Sequence, residues 1–245
     1  MIMSLAIPII YEDDYLLVLS KPAGFLTLPD RYDRNAPNLK NYLEKKFDEI
    51  YVVHRLDKDT SGVIIFAKDL ASHKLLNQQF EQNLIKKIYH VVVSGVIIDD
   101  EMKIDIPISQ DYRKPGRSKP SATGKDSLTI LRVLERFRNT TLVECNLVTG
   151  RHHQIRVHCS AIGHPLLVDE FYGRSDAFFL SSIKRKYKYK KNEVERPLIS
   201  RVTMHSYSVD FIHPVTNESL SLTAEYPKDF EALLKMLRKY NKISV

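Results

Sequence analysis

The stretch YVVHRLDKDTSGVIIFAKD, residues 51–69, sets two short apolar runs around a polar centre. Tyr51-Val52-Val53 precedes the centre and Val63-Ile64-Ile65-Phe66-Ala67 follows it. Both runs are short and β-branched, the pattern of buried strands. Between them stand five ionisable residues, His54, Arg55, Asp57, Lys58 and Asp59. A solvated turn accounts for such a cluster. So does a loop held by a rigid sheet that turns one carboxylate toward a substrate.

Upstream, Ile7–Tyr11 and Leu16–Ser20 read as strands joined by the Glu12-Asp13-Asp14 turn, and Lys21-Pro22-Ala23-Gly24 punctuates the chain. From Pro37, Leu39, Tyr42, Leu43 and Phe47 recur at helical spacing, with Asn35 as the expected cap. Downstream, residues 70–83 predict a helix with Ala71, Leu75, Leu76 and Phe80 as its inner face. Ile88–Val96 reads as a buried strand, and residues 99–125, rich in Lys, Arg, Pro and Ser, as a mobile basic loop. Leu128–Phe137 and Thr141–Val148 form the next expected hairpin. In TGRHHQIRVHCSAIGHP, residues 149–165, Ile155, Cys159 and Ile162 repeat at helical spacing, and Gly163 followed by Pro165 stops the helix. Beyond the basic run KRKYKYKKNEVER, residues 184–196, strand patterns return at Val202–Ile212 and Leu220–Ala224. A last helix is expected from about Pro227 to Tyr240, with Phe230, Leu233, Leu234 and Leu237 inward. Strand-turn-strand pairs dominate over regular βαβ alternation, so the expected fold is α+β with a largely antiparallel sheet. No repeat and no linker divides the 245 residues, which predicts a single domain.

With 43% hydrophobic residues the chain can fill a core. Lys plus Arg number 37 against 30 Asp plus Glu, a net charge of +7, and the pI is near 9.2. That balance suits a polyanionic partner such as nucleic acid. The two cysteines, Cys145 and Cys159, form no CxxC pair, which argues against disulfides and a thiolate zinc site. The start, MIMSLAIPIIYEDD, lacks a basic n-region and a cleavage site and is broken by Pro8. It is expected to lead into the first strand of a soluble, cytoplasmic protein without membrane association.

Several chemistries can be weighed on the motifs. His54-Arg55-Leu56-Asp57 resembles a kinase catalytic loop, but the chain has only eight glycines, no GxGxxG and no DFG. His152, His153, His158 and His164 cluster in sequence, yet His153 and His158 fall on different faces of a helix and no acid completes an HExxH spacing. They read as polar residues at a helix start, facing RNA. Ser61 has no GxSxG around it and reads as a turn-holding hydroxyl. What remains is Asp57, with Arg156 as its candidate partner. An arginine beside an aspartate favours the ionised form, which acts as nucleophile or base without metal or cofactor.

Taken together, these stretches resemble the RluA-type pseudouridine synthases. HRLDKDTSGVIIFAK at 54–68 is similar to the family's signature around its catalytic aspartate, and YEDDYLLVLSKPAG at 11–24 to its first motif. KKIYHVVVSG at 86–95 resembles the strand of the active-site tyrosine, TGRHHQIRVHCSAIGHPLLVDEFYG at 149–173 the helix with the family's arginine, and RVTMHSYSVDFIHP at 201–214 the closing strand. The blocks fall in family order across nearly all of residues 9–224. The resemblance implies isomerisation of uridine in ribosomal or transfer RNA to pseudouridine. The N1–C1′ bond breaks, the uracil turns, and C5 bonds to C1′. It implies Asp57 as the catalytic aspartate, attacking C1′ or removing a C2′ proton, Arg156 as its ion-pair partner, and Tyr89 against the target base. Arg55, Arg151, His153 and Gln154 are implied as further support and substrate-binding residues. No cofactor, no metal and no obligate protein partner are implied. His152 stands where many members have Thr or Ser, and Val168 stands where a Gly usually precedes the Asp now at 169. The small N-terminal RNA-binding domain of some members is not expected here, because the first motif begins near residue 9.

Two other functions compete. Methyl transfer needs a glycine-rich cofactor loop after a first strand, which LSKPAGFL at 19–26 is not. A catalytically silent RNA-binding module has no need of Asp57, Tyr89 and Arg156 together.

Overall fold

The computed structural model describes residues 7–30, 33, 35–187 and 194–243. In chain order the first elements are β1 (Ile9–Glu12), β2 (Leu16–Lys21), α1 (Leu39–Leu43), β3 (Tyr51–Val52), β4 (Ser61–Ala67), α2 (Leu70–Glu81) and β5 (Lys86–Ser94). Then come β6 (Glu101–Asp105), β7 (Ile108–Gln110), β8 (Ser118–Pro120), β9 (Leu128–Arg136), β10 (Thr140–Leu147) and α3 (Gln154–Ala161). A short 3-10 turn at Leu180–Ser182 precedes β11 (Met204–Ile212), β12 (Ser219–Thr223) and α4 (Lys228–Tyr240). The chain forms two compact units, neither continuous in sequence: Met1–Ile88 with His205–Glu225, and Tyr89–Met204 with Tyr226–Val245.

In the first unit, β1 and β2 form the expected antiparallel hairpin. Its turn is tied by Asp13, whose Oδ1 accepts from the Tyr15 and Leu16 amides. β2 pairs antiparallel with β4, every residue of which is buried. The opening stretch therefore does supply core strands, and β3 also pairs with β4, antiparallel. β4 runs parallel to β11 at Ser61 and Gly62. That contact demands glycine: Gly62 has φ +115°, and a Cβ there would meet the Ser206 carbonyl oxygen at 2.0 Å. Leu16, Val18, Val63, Ile65, Leu76 and Phe211 share one core cluster.

Two helix details differ from expectation. The cap of α1 is Asn38, whose side chain accepts from the Asn41 amide, and not Asn35. α2 buries Ser72 and Leu76 and leaves Ala71 and Leu75 exposed, because Asp69 caps the helix and accepts from the Ser72 amide and hydroxyl. The small Ser72 is thereby drawn inward.

In the second unit, β5, β10, β9 and β6 lie side by side in that order. β9 pairs antiparallel with both β10 and β6. Phe230, Leu233, Leu234 and Leu237 of α4 pack with Val92, Phe137 and Leu142, the inward face read from sequence. Residues 99–125 are not the mobile loop expected of them. They hold β6 and the antiparallel β7–β8 hairpin. Ile104 and Ile108 are buried, while the neighbouring polar residues face out, so the strands are too short and too polar to stand out by composition. Both units mix helices with mainly antiparallel strands, giving the α+β class. Among the described residues, no helix is long and apolar enough to cross a membrane.

Candidate active site

The polar centre of the opening stretch is not a free solvated turn. His54 Nε2 accepts from the Ile65 amide at 3.0 Å, and its ring stacks on Phe80 at 4.8 Å between centroids. Burial, helped by the charge of Lys87, pushes the His54 pKa down to about 3, so the ring is neutral at pH 7. Leu56 is held at both ends of its peptide unit by Thr27, whose hydroxyl accepts from the Leu56 amide and donates to its carbonyl, each at 3.2 Å. Thr60 closes the turn with an amide bond to the Asp57 carbonyl at 3.1 Å. Ser61 bonds His205 Nδ1 at 2.9 Å, and His205 Nε2 donates to the Ala224 carbonyl at 3.1 Å. Arg55, Lys58 and Asp59 are exposed, whereas Asp57 is half-buried.

The strongest anchor was not legible in the motif. Lys21 is fully buried, and its ammonium donates to the carbonyls of Pro22 at 3.1 Å, Phe25 at 2.6 Å and Lys58 at 2.9 Å. The Gly24 amide reaches the same Lys58 carbonyl at 2.9 Å. Lys21 thus clamps the KPAG turn to the residue that follows Asp57. Lys21→Met would strip the ammonium from these carbonyls inside the core. The expected loss is about 3 kcal/mol of stability with a fall in turnover, read from urea unfolding midpoints and single-turnover rates. An unchanged midpoint would show that the loop is held without it.

In the second unit, His153 stands at the N-cap of α3 with a left-handed φ of +57°. Gln154 is buried and fully used. Its Oε1 accepts from the Thr149 hydroxyl and the Arg151 amide, and its Nε2 donates to the Leu128 carbonyl and Thr129 hydroxyl. It therefore fixes the 149–151 turn, from which exposed Arg151 donates through Nε to the Asp126 carbonyl at 3.0 Å. His158 lies in the core between Thr129 and the Ile106 carbonyl. His152 and His153 stack at 3.8 Å between centroids.

Arg156 is buried and forms a two-pronged pair with Asp169, Nε to Oδ2 at 2.7 Å and Nη2 to Oδ1 at 2.8 Å. Asp169 thus takes two of the guanidinium nitrogens. Asp169 has no exposed surface and also accepts from the Phe171 and Tyr172 amides at 2.9 and 3.1 Å. The Arg156 guanidinium sits over both rings, 5.3 Å from the centroid of Phe171 and 5.1 Å from that of Tyr172. The Tyr172 hydroxyl bonds His153 Nδ1 at 2.9 Å. Asp169 thus organises the loop whose departure from the family pattern was noted in the sequence. Tyr89, on β5, is 7% exposed.

A family model described as RNA pseudouridylate synthase matches residues 15–161. The chain belongs to that family. It is 34% identical over 234 residues to the dual-specificity RNA pseudouridine synthase RluA of Vibrio vulnificus, covering 92% of this chain and 86% of the relative. It is also 34% identical over 240 residues to the ribosomal large subunit pseudouridine synthase D of Neisseria meningitidis, where the match spans 96% of this chain and 62% of the relative. The solved structure of human RNA pseudouridylate synthase domain containing 4 has the same fold, with a TM-score of 0.70 at 21% identity over 94% of this chain and 92% of that one.

This synthase carries its neutral buried histidines as an acid liability. His90 bonds the Tyr226 hydroxyl through Nδ1, and burial lowers its pKa to about 4 against a raising effect of Glu144. His90 and His54 both have folded-state pKa values below that of an unfolded histidine, so the unfolded chain takes up their protons first as pH falls. Stability is fully present above about pH 6.5 and declines toward pH 4 for His90 and pH 3 for His54. Each contributes up to about 1.4 kcal/mol per pH unit within its window. Urea midpoints at about pH 7.5 and about pH 5 check this. A flat profile would mean that both rings are hydrated in the folded state.

Proposed function

We propose that this RNA pseudouridine synthase isomerises one or more uridines of ribosomal or transfer RNA, with Asp57 as the essential carboxylate. The observation that carries this reading is the anchored loop. Lys21, Thr27, His54 and Ser61 immobilise the chain on either side of Asp57, which is itself only half-buried. A fixed backbone with a partly accessible acid is what a site needs to meet a sugar carbon or its proton without reorganisation. Arg55 flanks Asp57 and is exposed toward solvent, as a phosphate ligand should be.

The other roles follow from chemistry. Target uracil in a folded RNA is stacked, so it flips out before C1′ is reached, at a cost of a few kcal/mol. Tyr89 packs against the flipped base and Arg151 meets the backbone, while His153 and Gln154 shape the start of α3 behind them. Arg156 keeps Phe171 and Tyr172 in place through Asp169. Isomerisation transfers no electron and no group, so the proposed reaction runs without cofactor or metal. The two units act as one catalytic domain, in the cytoplasm where its RNA is made. The relatives' names point to the large ribosomal subunit as one source of substrate RNA and, through the words dual-specificity, to more than one target; transfer RNA is the second RNA to try.

The test uses RNA tritiated at uridine C5. Formation of the C5–C1′ bond sends that hydrogen to water, so label is released in step with pseudouridine. Ribosomal and transfer RNA are assayed separately. Label release without pseudouridine would indicate a different C5-directed modification, and neither product on either RNA would sink the reading.

A further inference from the structure

A cavity of about 200 Å³ opens within the second unit, between the β7–β8 hairpin, α3 and the Phe171–Tyr172 loop. Pockets that take a drug-sized ligand run from roughly 300 Å³ upward, so this one suits a single base or a single sugar-phosphate. Val157, Ala161 and Phe171 give it an apolar wall, and Lys114, Arg117 and Lys119 a cationic rim. The rim is built. The Arg117 guanidinium carbon sits over the Phe171 ring, 4.5 Å from its centroid, and its Nη1 donates to the Phe171 carbonyl at 2.8 Å. Ser118 is tied on both sides, its amide to the Tyr172 hydroxyl at 2.7 Å and its own hydroxyl to His152 Nδ1 at 3.0 Å. The one acid in the lining, Asp111, accepts from the Arg113 amide and faces Lys119 at 4.0 Å, so its charge is already partly answered.

We propose that this pocket receives one nucleotide of the substrate RNA that flanks the target uridine. A guanidinium held against an aromatic ring offers planar surface on which an unstacked base can stack, and lysines at the rim suit the attached phosphate. The hairpin is the natural guide to it. Its turn is closed by backbone bonds among Asp111, Lys114 and Arg117, and it displays Tyr112 at 85% exposure. The inference rests on the RNA synthase reading and adds a second contact, outside the residues assigned to the reaction.

Three arms test it on the full chain. Ala161→Phe fills the cavity from an exposed helix position without touching a charge, and Lys119→Gln removes one rim cation. Each is expected to raise KM for the substrate RNA about tenfold while single-turnover chemistry at saturating RNA is unchanged. Lys119→Gln should also flatten the salt slope by about 0.7. Substrate RNA carrying 4-thiouridine beside the target should crosslink to residues 111–120 or to Phe171 or Tyr172. Wild-type KM in Ala161→Phe, with wild-type melting, or crosslinks confined to other segments, would overturn the assignment. Binding of uridine 5′-monophosphate alone, weakened by both variants while KM for RNA stays put, would assign the pocket to a free nucleotide instead. Failure of the wild type to make pseudouridine would sink the synthase reading, whereas crosslinking reads the pocket independently of turnover.

Discussion

Asp57→Asn is expected to fold, bind RNA and form pseudouridine on the order of 10⁴-fold more slowly than wild type. The substitution is nearly isosteric and removes only the charge and basicity of the carboxylate. The bonds that shape the loop around it come from other groups: the Lys21 ammonium, the Thr27 hydroxyl, His54 and Ser61. The bond from the Thr60 amide uses the Asp57 carbonyl, which asparagine retains. Loss of turnover without loss of fold therefore separates chemistry from architecture. Asp59→Asn is the matched control, since Asp59 is exposed two residues away, and it should retain most activity. Rates are read under single turnover, beside thermal melts and RNA affinity for each variant. Residual turnover in Asp57→Asn within about tenfold of wild type would remove Asp57 from the proposed role.

Arg156→Ala is expected to be the most destabilising change in the second unit. Both partners of the pair are buried, and Asp169 is completely so. Removing the guanidinium leaves a carboxylate in the interior with the Phe171 and Tyr172 amides as remaining donors. Breaking one side of a buried pair costs about 3–5 kcal/mol, which for a chain of this size lowers Tm by about 10 °C. The aromatic pair loses its cation as well, so activity should fall with stability. A double replacement, Arg156→Met with Asp169→Leu, should recover much of the lost stability but not the activity, because apolar groups fill the space without leaving a lone charge. Melting of Arg156→Ala at the wild-type temperature would show that Asp169 does not depend on it.

Much of this arrangement could be read before any coordinates. β4 and β5 declare themselves by β-branched runs, and α4 by Phe230, Leu233, Leu234 and Leu237 at helical spacing. The motif around Asp57 was legible as a loop between strands, and most of its other residues prove to have structural work: His54 on the Ile65 amide, Ser61 on His205, Gly62 against Ser206. Long-range polar partners were not legible. Nothing local pairs Lys21 with the carbonyl of Lys58, 37 residues on, and a lysine before Pro-Ala-Gly reads as loop punctuation. The one available sign was its place directly after Leu16–Ser20, where a strand carries it inward. Two of the Arg156 nitrogens pair with Asp169, 13 residues away, in a loop whose role no periodicity marks. β6, β7 and β8 were missed because strands of three to five residues with exposed polar positions look like loop. Of the basic run at 184–196, residues 188–193 lie outside the described residues.

The parallel pairing of β4 with β11 also sets a schedule for synthesis. Ser61 and its partner His205 stand 144 residues apart. At about 5–20 residues per second, a ribosome needs roughly 7–30 s to make β11 after β4 has emerged. During that interval β2 and β3 can both pair with β4, but the stretch at Ser61 and Gly62 destined for β11 has no strand to meet on that edge, and the close fit at Gly62 admits little else. The nascent first unit must wait, half-assembled, while residues 89–204 of the second are threaded out. Holdase chaperones that shield apolar strand edges should accordingly associate with this chain longest between the appearance of residues 67 and 212, and release it as β11 docks.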